Sequence, residues 1–225
     1  MERRDYEAIR AYMESVMADS AHDREHVLRV LCAALDIAST EPEADGDILI
    51  AACLLHDIGR PDQARDPSLC HAQVGAEKAY RFLLGLGWPE DRAARVREAV
   101  AAHRFRTNRR PESIEAKILF DADKLDVAGA LGMARSLQYG GAEGEPLYTL
   151  GTDGLPSDGD GDPLPSFFQE YHYKLKGLYG LFLTERGRAL ALERRETARR
   201  FYEDLLGEVR QVRGRGLALL EDRLT

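Results

Sequence analysis

The sequence predicts an all-α protein. Apolar residues recur at helical spacing along most of the 225 residues, Gly and Pro separate the periodic segments, and no segment alternates convincingly like a strand. Hydrophobic residues make up 44% of the chain and charged residues 31%, which is typical of a globular protein. Because this length does not require a second core, we expect one domain over 1–225.

Four segments in the first half of the chain carry the helical pattern. They cover about 6–38, 48–57, 71–85 and 90–104. In the second of these segments, Asp47 is placed to cap the helix, and Gly59 followed by Pro61 is placed to end it. The first half is therefore expected to form a compact helical core.

The second half contains a longer helical segment, a loop and further helices. A helix is expected over 111–135, although Gly129 and Gly132 weaken its second part. Residues 140–165 are rich in Gly, Pro and acidic residues, which predicts an exposed, mobile, acidic loop inserted into the domain. The domain is thus expected to contain a core over 1–139, this loop, and C-terminal helices over 166–225 that pack on the core.

The charge balance restricts the class of partner. A net charge of −8 argues against binding long nucleic acid, although a small phosphorylated partner remains compatible because a bound cation can invert the local potential. The N-terminus has no apolar signal region, and the longest apolar run, 48–55, is far short of the ~20 residues that span a membrane. Cys32, Cys53 and Cys70 form no CxxC pair and are expected to be buried thiols. We therefore expect a cytoplasmic protein without membrane partners, and a homo-oligomer remains open.

His56 and Asp57 follow one another at the end of an almost entirely apolar helix. An ionised carboxylate beside a buried helix costs several kcal/mol unless a partner compensates its charge. A metal cation bound by both residues would compensate the charge of the carboxylate.

Three other residues are expected to point inward from separate helices. His26 continues an apolar stripe, Asp123 shares a face with Leu119, and His103 shares a face with Val100. Two histidines and two aspartates suit a divalent transition ion and leave coordination positions open for water and substrate. Taken singly, each residue has a structural explanation, since a lone histidine on an apolar face is more often a satisfied core residue. Their combination is what indicates a metal site.

Several motifs together resemble the HD-domain phosphohydrolase superfamily, whose metal ligands follow the pattern H…HD…D. The motifs are His26, Leu55-His56-Asp57-Ile58-Gly59 and Ala122-Asp123-Lys124-Leu125-Asp126. Flanking stretches resemble a branch of small stand-alone bacterial and archaeal HD hydrolases; they are Ala21-His22-Asp23-Arg24-Glu25-His26, Ala102-His103-Arg104-Phe105, Tyr173-Lys174-Leu175 and Thr184-Glu185-Arg186-Gly187. The resemblance implies an HD-domain-like helical bundle.

The resemblance also implies the ligand set. The metal ligands would be His26, His56, Asp57 and Asp123, with Asp123 preferred to Asp121 because it follows alanine in the family motif. Some related nucleotidases have an acidic residue three positions after the HD aspartate, where this chain has Arg60. Dinuclear relatives carry extra histidines, and His71 and His103 stand at plausible positions for a second ion, which is not our first choice. His22 is a candidate for supporting the site.

The expected function is hydrolysis of a phosphate ester or anhydride of a small molecule, with nucleotides the leading class. The cofactor would be a divalent ion among Mn, Mg, Fe, Co, Ni and Zn. Asp57 is the candidate for orienting the attacking water, His103 or His71 for protonating the leaving oxygen or holding phosphate, and Lys124 and Lys174 for contacting phosphate. Alternatives are a non-catalytic metal- or nucleotide-binding sensor and a cyclic-nucleotide phosphodiesterase. With an ordinary histidine pKa of about 6.5, metal binding should weaken below about pH 6.

Overall fold

The computed structural model describes residues 1–17, 24–104 and 110–224. Its α-helices are α1 Arg3–Val16, α2 Arg24–Ala38, α3 Gly46–Leu55, α4 Arg60–Arg65, α5 His71–Gly85, α6 Glu90–Ala102, α7 Ile114–Leu125, α8 Gly129–Ala142, α9 Phe167–Glu170 and α10 Glu185–Leu224. A π-helical turn, Tyr171–Leu175, and a 3₁₀ turn, Leu178–Gly180, follow α9. Within the described ranges the extended pairing is limited to one isolated bridge, between Leu150 and Pro156. The all-α prediction is confirmed.

The helix bounds agree with the predicted ones in part. The helix predicted over 71–85 is α5. Asp45, and not Asp47, caps α3, because the Asp45 carboxylate accepts from the amides of Asp47 and Ile48. The 6–38 segment contains α1 and α2, and residues 18–23 between them, including His22, lie outside the described ranges.

The helix predicted over 111–135 is divided into α7 and α8. Gly129 has a φ of 67°, which belongs to the left-handed region and interrupts the helical path. At Gly132 a Cβ atom would lie 2.2 Å from the carbonyl oxygen of Val127, so the backbone folds closely on itself there. The two glycines that weakened the prediction therefore lie in the first turn of α8, directly after the break between the two helices.

The chain divides into two compact units, and the first contains Met1–Asp126 and Phe182–Gly187. Helix α3 is central to it, because it contacts α1, α2, α5, α6 and α7 and has seven buried residues among its ten. Burying each of its large aliphatic side chains contributes about 1.5–3 kcal/mol. Because α3 is buried, His56 and Asp57, which follow it directly, are also buried inside the unit.

The second unit contains Val127–Leu181 and Arg188–Thr225. Tyr171 and Tyr202 stack at 3.9 Å between ring centroids. The acidic segment makes hydrogen bonds to α10, where Tyr202 Oη donates to the Asp158 carbonyl and Arg210 Nε to the Pro156 carbonyl. The mobility of residues 140–165, the single domain and the packing of the C-terminal helices on the core stay predictions.

Two further findings concern burial. Cys32 is exposed, so its predicted burial was wrong, whereas Cys53 is buried and Cys70 is intermediate. Cys32 lies on the outer face of α2, because the helical period places Val30, Leu31 and Ala34 inward instead. None of the helices in the described ranges combines the length and the apolarity required to cross a membrane.

Candidate metal centre

Four predicted ligands converge in the first unit. His26 comes from α2, His56 and Asp57 follow α3, and Asp123 comes from α7. His26 Nε2 lies 3.3 Å from His56 Nε2, 3.4 Å from Asp123 Oδ1 and 3.6 Å from Asp57 Oδ2. His26, His56 and Asp57 are buried, and Asp123 is 26% exposed. Three helices thus bring four ligand atoms to one place.

The remaining ring nitrogens determine the tautomers of the two histidines. His26 Nδ1 lies 2.7 Å from Asp126 Oδ2, and His56 Nδ1 lies 2.7 Å from the Cys53 carbonyl oxygen. Since a carboxylate and a carbonyl only accept, each Nδ1 carries the donating hydrogen. In the neutral form of each ring, the lone pair of Nε2 is therefore directed into the cluster, as a metal ligand requires.

The cluster has an uncompensated acceptor at its centre. Asp57 Oδ2 is buried and has no hydrogen-bond partner among the described residues. Two imidazole lone pairs at 3.3 Å and nearby carboxylate oxygens repel one another unless a proton or a cation lies among them. The residues present therefore fit a divalent metal ion.

The pKa of His26 reflects the excess of negative charge in the cluster. Burial lowers the pKa of His26, but its hydrogen bonds with Asp123 and Asp126 outweigh burial and raise that pKa to about 9. Burial raises the pKa values of Asp57 and Asp123, but nearby histidines, and for Asp57 also Arg60, outweigh burial and hold both pKa values well below their ordinary range. Without a metal ion, a proton on His26 supplies part of the missing charge.

A second cluster adjoins the first through Asp57. Asp57 Oδ1 lies 3.6 Å from His71 Nε2 and 3.7 Å from His103 Nε2. The Val100 carbonyl accepts from His103 Nδ1. Gln63 Oε1 accepts from His71 Nδ1 at 2.7 Å, a shorter contact than the 3.3 Å between that nitrogen and Arg104 Nη1, so both Nε2 atoms carry lone pairs. Burial lowers the pKa of His71 to about 3 and that of His103 to about 4. Both rings are neutral at pH 7.

The glycine of the HD motif permits the close approach that builds this second cluster. A Cβ atom on Gly59 would lie 2.1 Å from the His71 carbonyl oxygen and 2.7 Å from the Gly75 amide nitrogen. Any side chain at this position would push the turn after Asp57 away from α5. Gly59 therefore allows His71 to reach the aspartate.

The structure also distinguishes Asp121 from Asp123. Asp121 accepts a hydrogen bond from the Leu183 amide at 2.8 Å. It also accepts hydrogen bonds from the amide and the hydroxyl of Thr184, both at 2.7 Å. Burial raises the pKa of Asp121. Asp121 is thus occupied at the start of α10, whereas Asp123 faces the histidines.

Sequence reasoning assigned no role to three residues around the cluster. Asp126 orients His26 and also accepts from Arg29 Nε at 2.7 Å. Arg60 Nε donates to Asp57 Oδ1 at 2.9 Å. Asp126 is within the quoted motif, and its position three residues after Asp123, on nearly the same helical face, was the available signal.

The two predicted phosphate-contacting lysines have other partners. Lys124 Nζ lies 3.5 Å from the centroid of the Phe120 ring. Lys174 belongs to the second unit and pairs with Glu170 at 2.7 Å. Their contact with substrate stays a prediction.

The first unit is helical and contains a histidine-aspartate cluster that could hold a metal ion, and comparison with known proteins identifies the family. Residues 24–128 match the model of the HD domain. The chain is 32% identical over 208 residues to the uncharacterized protein YpgQ of Bacillus subtilis strain 168, covering 88% of this chain and 91% of YpgQ. The chain belongs to the HD-domain phosphohydrolase superfamily.

Solved structures agree with this assignment. The crystal structure of Bacillus subtilis YpgQ in complex with ADP matches with a TM-score of 0.71 and 30% identity, covering 92% of this chain and 95% of that one. An HD-superfamily hydrolase from Bacillus thuringiensis matches with a TM-score of 0.68 and 27% identity, covering 92% and 98%. The similarity extends well beyond the HD domain itself.

Proposed function

We propose that this protein is a metal-dependent phosphohydrolase that cleaves a phosphate ester or anhydride of a small molecule, with nucleotides as the leading class. One observation carries the proposal: the ligand atoms of His26, His56 and Asp123 lie close together beside a buried Asp57 oxygen that has no hydrogen-bond partner within the described ranges. Neutral imidazoles and carboxylates are the donors that divalent transition ions take. Mn, Mg, Fe, Co, Ni and Zn are all candidates.

Asp57, His103 and His71 would each contribute to hydrolysis in a different way. A bound divalent ion would supply Lewis acidity, polarising a phosphoryl oxygen and acidifying water. Asp57 is our candidate for orienting the attacking water, because its two oxygens face the two clusters. Burial lowers the pKa of His103 to about 4, so its Nε2 can accept a hydrogen bond at pH 7, and protonating the leaving oxygen would require this pKa to rise when substrate binds. His71 has the same character and is our candidate for contacting substrate hydroxyl groups or water.

The preference for nucleotides is supported by the ADP complex of YpgQ, which is similar to this chain over most of its length. The net charge of −8 is compatible with this substrate because the cation would neutralise phosphate locally. A nucleoside phosphate is therefore the first substrate to assay.

The test is a hydrolysis screen of nucleoside mono-, di- and triphosphates, cyclic nucleotides and sugar phosphates, with manganese, magnesium, cobalt or nickel added to the metal-free protein. We expect metal-dependent release of phosphate or pyrophosphate. Asp57→Asn should lower kcat/KM by at least about 100-fold, because it alters a residue common to both clusters. Asp62→Asn is the matched control, since Asp62 lies nearby in α4 and pairs with Lys78 instead.

The outcomes separate this proposal from its rivals. Release of phosphate that persists unchanged in Asp57→Asn would place the chemistry elsewhere. Metal-dependent nucleotide binding by calorimetry with no product after prolonged incubation would instead indicate a sensor. Cleavage confined to cyclic nucleotides would indicate a phosphodiesterase.

A further inference from the structure

The cluster formed by Asp57, His71 and His103 has the donor set of a second metal site. One ligand atom from each residue lies within 4.8 Å of the others, and Asp57 Oδ1 lies 3.6 Å and 3.7 Å from the two Nε2 atoms. All three residues are buried, and His71 Nε2 has no hydrogen-bond partner among the described residues. Judged by donors alone, this cluster would bind an ion next to the first.

Arg60 already occupies the carboxylate oxygen that such an ion would need. Arg60 begins α4, and its Nε donates to Asp57 Oδ1 at 2.9 Å. Its side chain is 28% exposed, and the Asp57 side chain is 1% exposed, so solvent screens this pair only partly. A guanidinium is planar and permanently charged, and it persists beside a carboxylate at any physiological pH.

We infer that Arg60 takes the place of a second cation on Asp57, so that the centre holds one metal ion. A divalent ion bound by Asp57 Oδ1 and the two Nε2 atoms would lie in direct repulsion with the guanidinium. By holding Oδ1, Arg60 also leaves Asp57 Oδ2 directed toward His26 and His56. Arg60 is thus a positioning residue that determines metal stoichiometry, an inference that rests on the proposed metal site.

Metal stoichiometry tests the inference independently of activity. Wild-type protein, Arg60→Met and Arg65→Met would be equilibrated with excess manganese by dialysis, and bound ions per chain measured by elemental analysis. Arg65 is the matched control because it lies exposed in the same short helix. We expect one ion in the wild type and in Arg65→Met, and two ions in Arg60→Met.

Electron paramagnetic resonance adds a readout that a general structural role would not move. The second manganese ion in Arg60→Met should give the spin-coupled spectrum of two ions sharing the Asp57 carboxylate. Adding His71→Ala to Arg60→Met should remove both the coupling and the second ion. In the wild-type background, His71→Ala should keep one ion with an affinity changed by less than about threefold, because His71 lies outside the first ligand set.

Each alternative result has a clear meaning. Two ions in the wild type would overturn the inference while leaving the proposed function intact. One ion in a folded Arg60→Met, or loss of the single ion in His71→Ala, would also overturn it. No bound ion in the wild type would overturn both proposals. If Arg60→Met fails to fold, Arg60→Gln, which also removes the charge, is measured in its place against the same expectation of two ions.

Discussion

The buried imidazole of His26 should make metal binding depend on pH up to about pH 9. Its pKa in the metal-free protein is raised to about 9, because hydrogen bonds with Asp123 and Asp126 outweigh burial. A metal ion must displace this proton to reach Nε2. At pH 7 the group is about two units below its pKa, so the apparent affinity should be roughly 100-fold weaker than for the deprotonated ring.

Metal titrations between pH 6.5 and 10 measure this effect. The logarithm of the dissociation constant should fall by about one per pH unit up to about pH 8.5 and level off above about pH 9.5. Calorimetry in buffers of different ionisation enthalpy should show release of about one proton per ion at pH 7.5. An ordinary histidine would place the competition near pH 6, so a dissociation constant that is equal at pH 7 and pH 8.5 would refute the reasoning.

Asp126→Asn provides the comparison variant. Removing the Asp126 charge should lower the pKa of His26 and move the inflection in metal affinity to lower pH. Asp36→Asn is the control, because Asp36 pairs with Arg186 on the surface and should leave the inflection unchanged. An unmoved inflection in Asp126→Asn would assign the proton to a different group.

The same pKa affects the stability of the metal-free protein. Because the folded-state pKa lies above the unfolded value of about 6.5, the stabilisation is fully present below pH 6.5 and is lost as pH rises through about 9. The displacement corresponds to about 3 kcal/mol in the free energy of unfolding. Urea unfolding with a chelator present should show this decline, and added metal should abolish it.

Three other predictions concern the scaffold. Gly59→Ala should destabilise the protein by about 1–3 kcal/mol in urea unfolding, because its Cβ would overlap the His71 carbonyl, whereas Gly85→Ala, with open space around its Cβ, should be neutral or stabilising. Asp121→Ala should cost about 2–4 kcal/mol by the same measurement, since it leaves several donors at the start of α10 unpaired, and a cost below 1 kcal/mol would contradict that role. Residues 140–165 offer little apolar surface to offset the entropy of ordering, so their amides should exchange with deuterium faster than those of α3, and equal protection would refute the prediction.

Much of the fold was predictable because helical periodicity is local. Apolar residues three and four positions apart share a helix face, so α5 and the buried helix α3 could be recognised in the sequence. The ends of the helices were less predictable. Asp45 and Asp47 are both suitable N-caps for α3, and only the backbone geometry shows that Asp45 is the cap. The exposed face of Cys32 likewise depended on which neighbours pack against α2.

The sequence by itself determined the family and the set of candidate ligands, because adjacent His56 and Asp57 after an apolar helix form an ordered motif with His26 and Asp123. Only the tertiary structure showed that Asp126, 100 positions away, orients His26, and that Arg60 contacts the Asp57 oxygen facing the second histidine cluster. The reason is physical. Residue type and spacing indicate which atoms can bind a cation, whereas tautomer, pKa and charge compensation depend on contacts that exist only after distant helices have packed together.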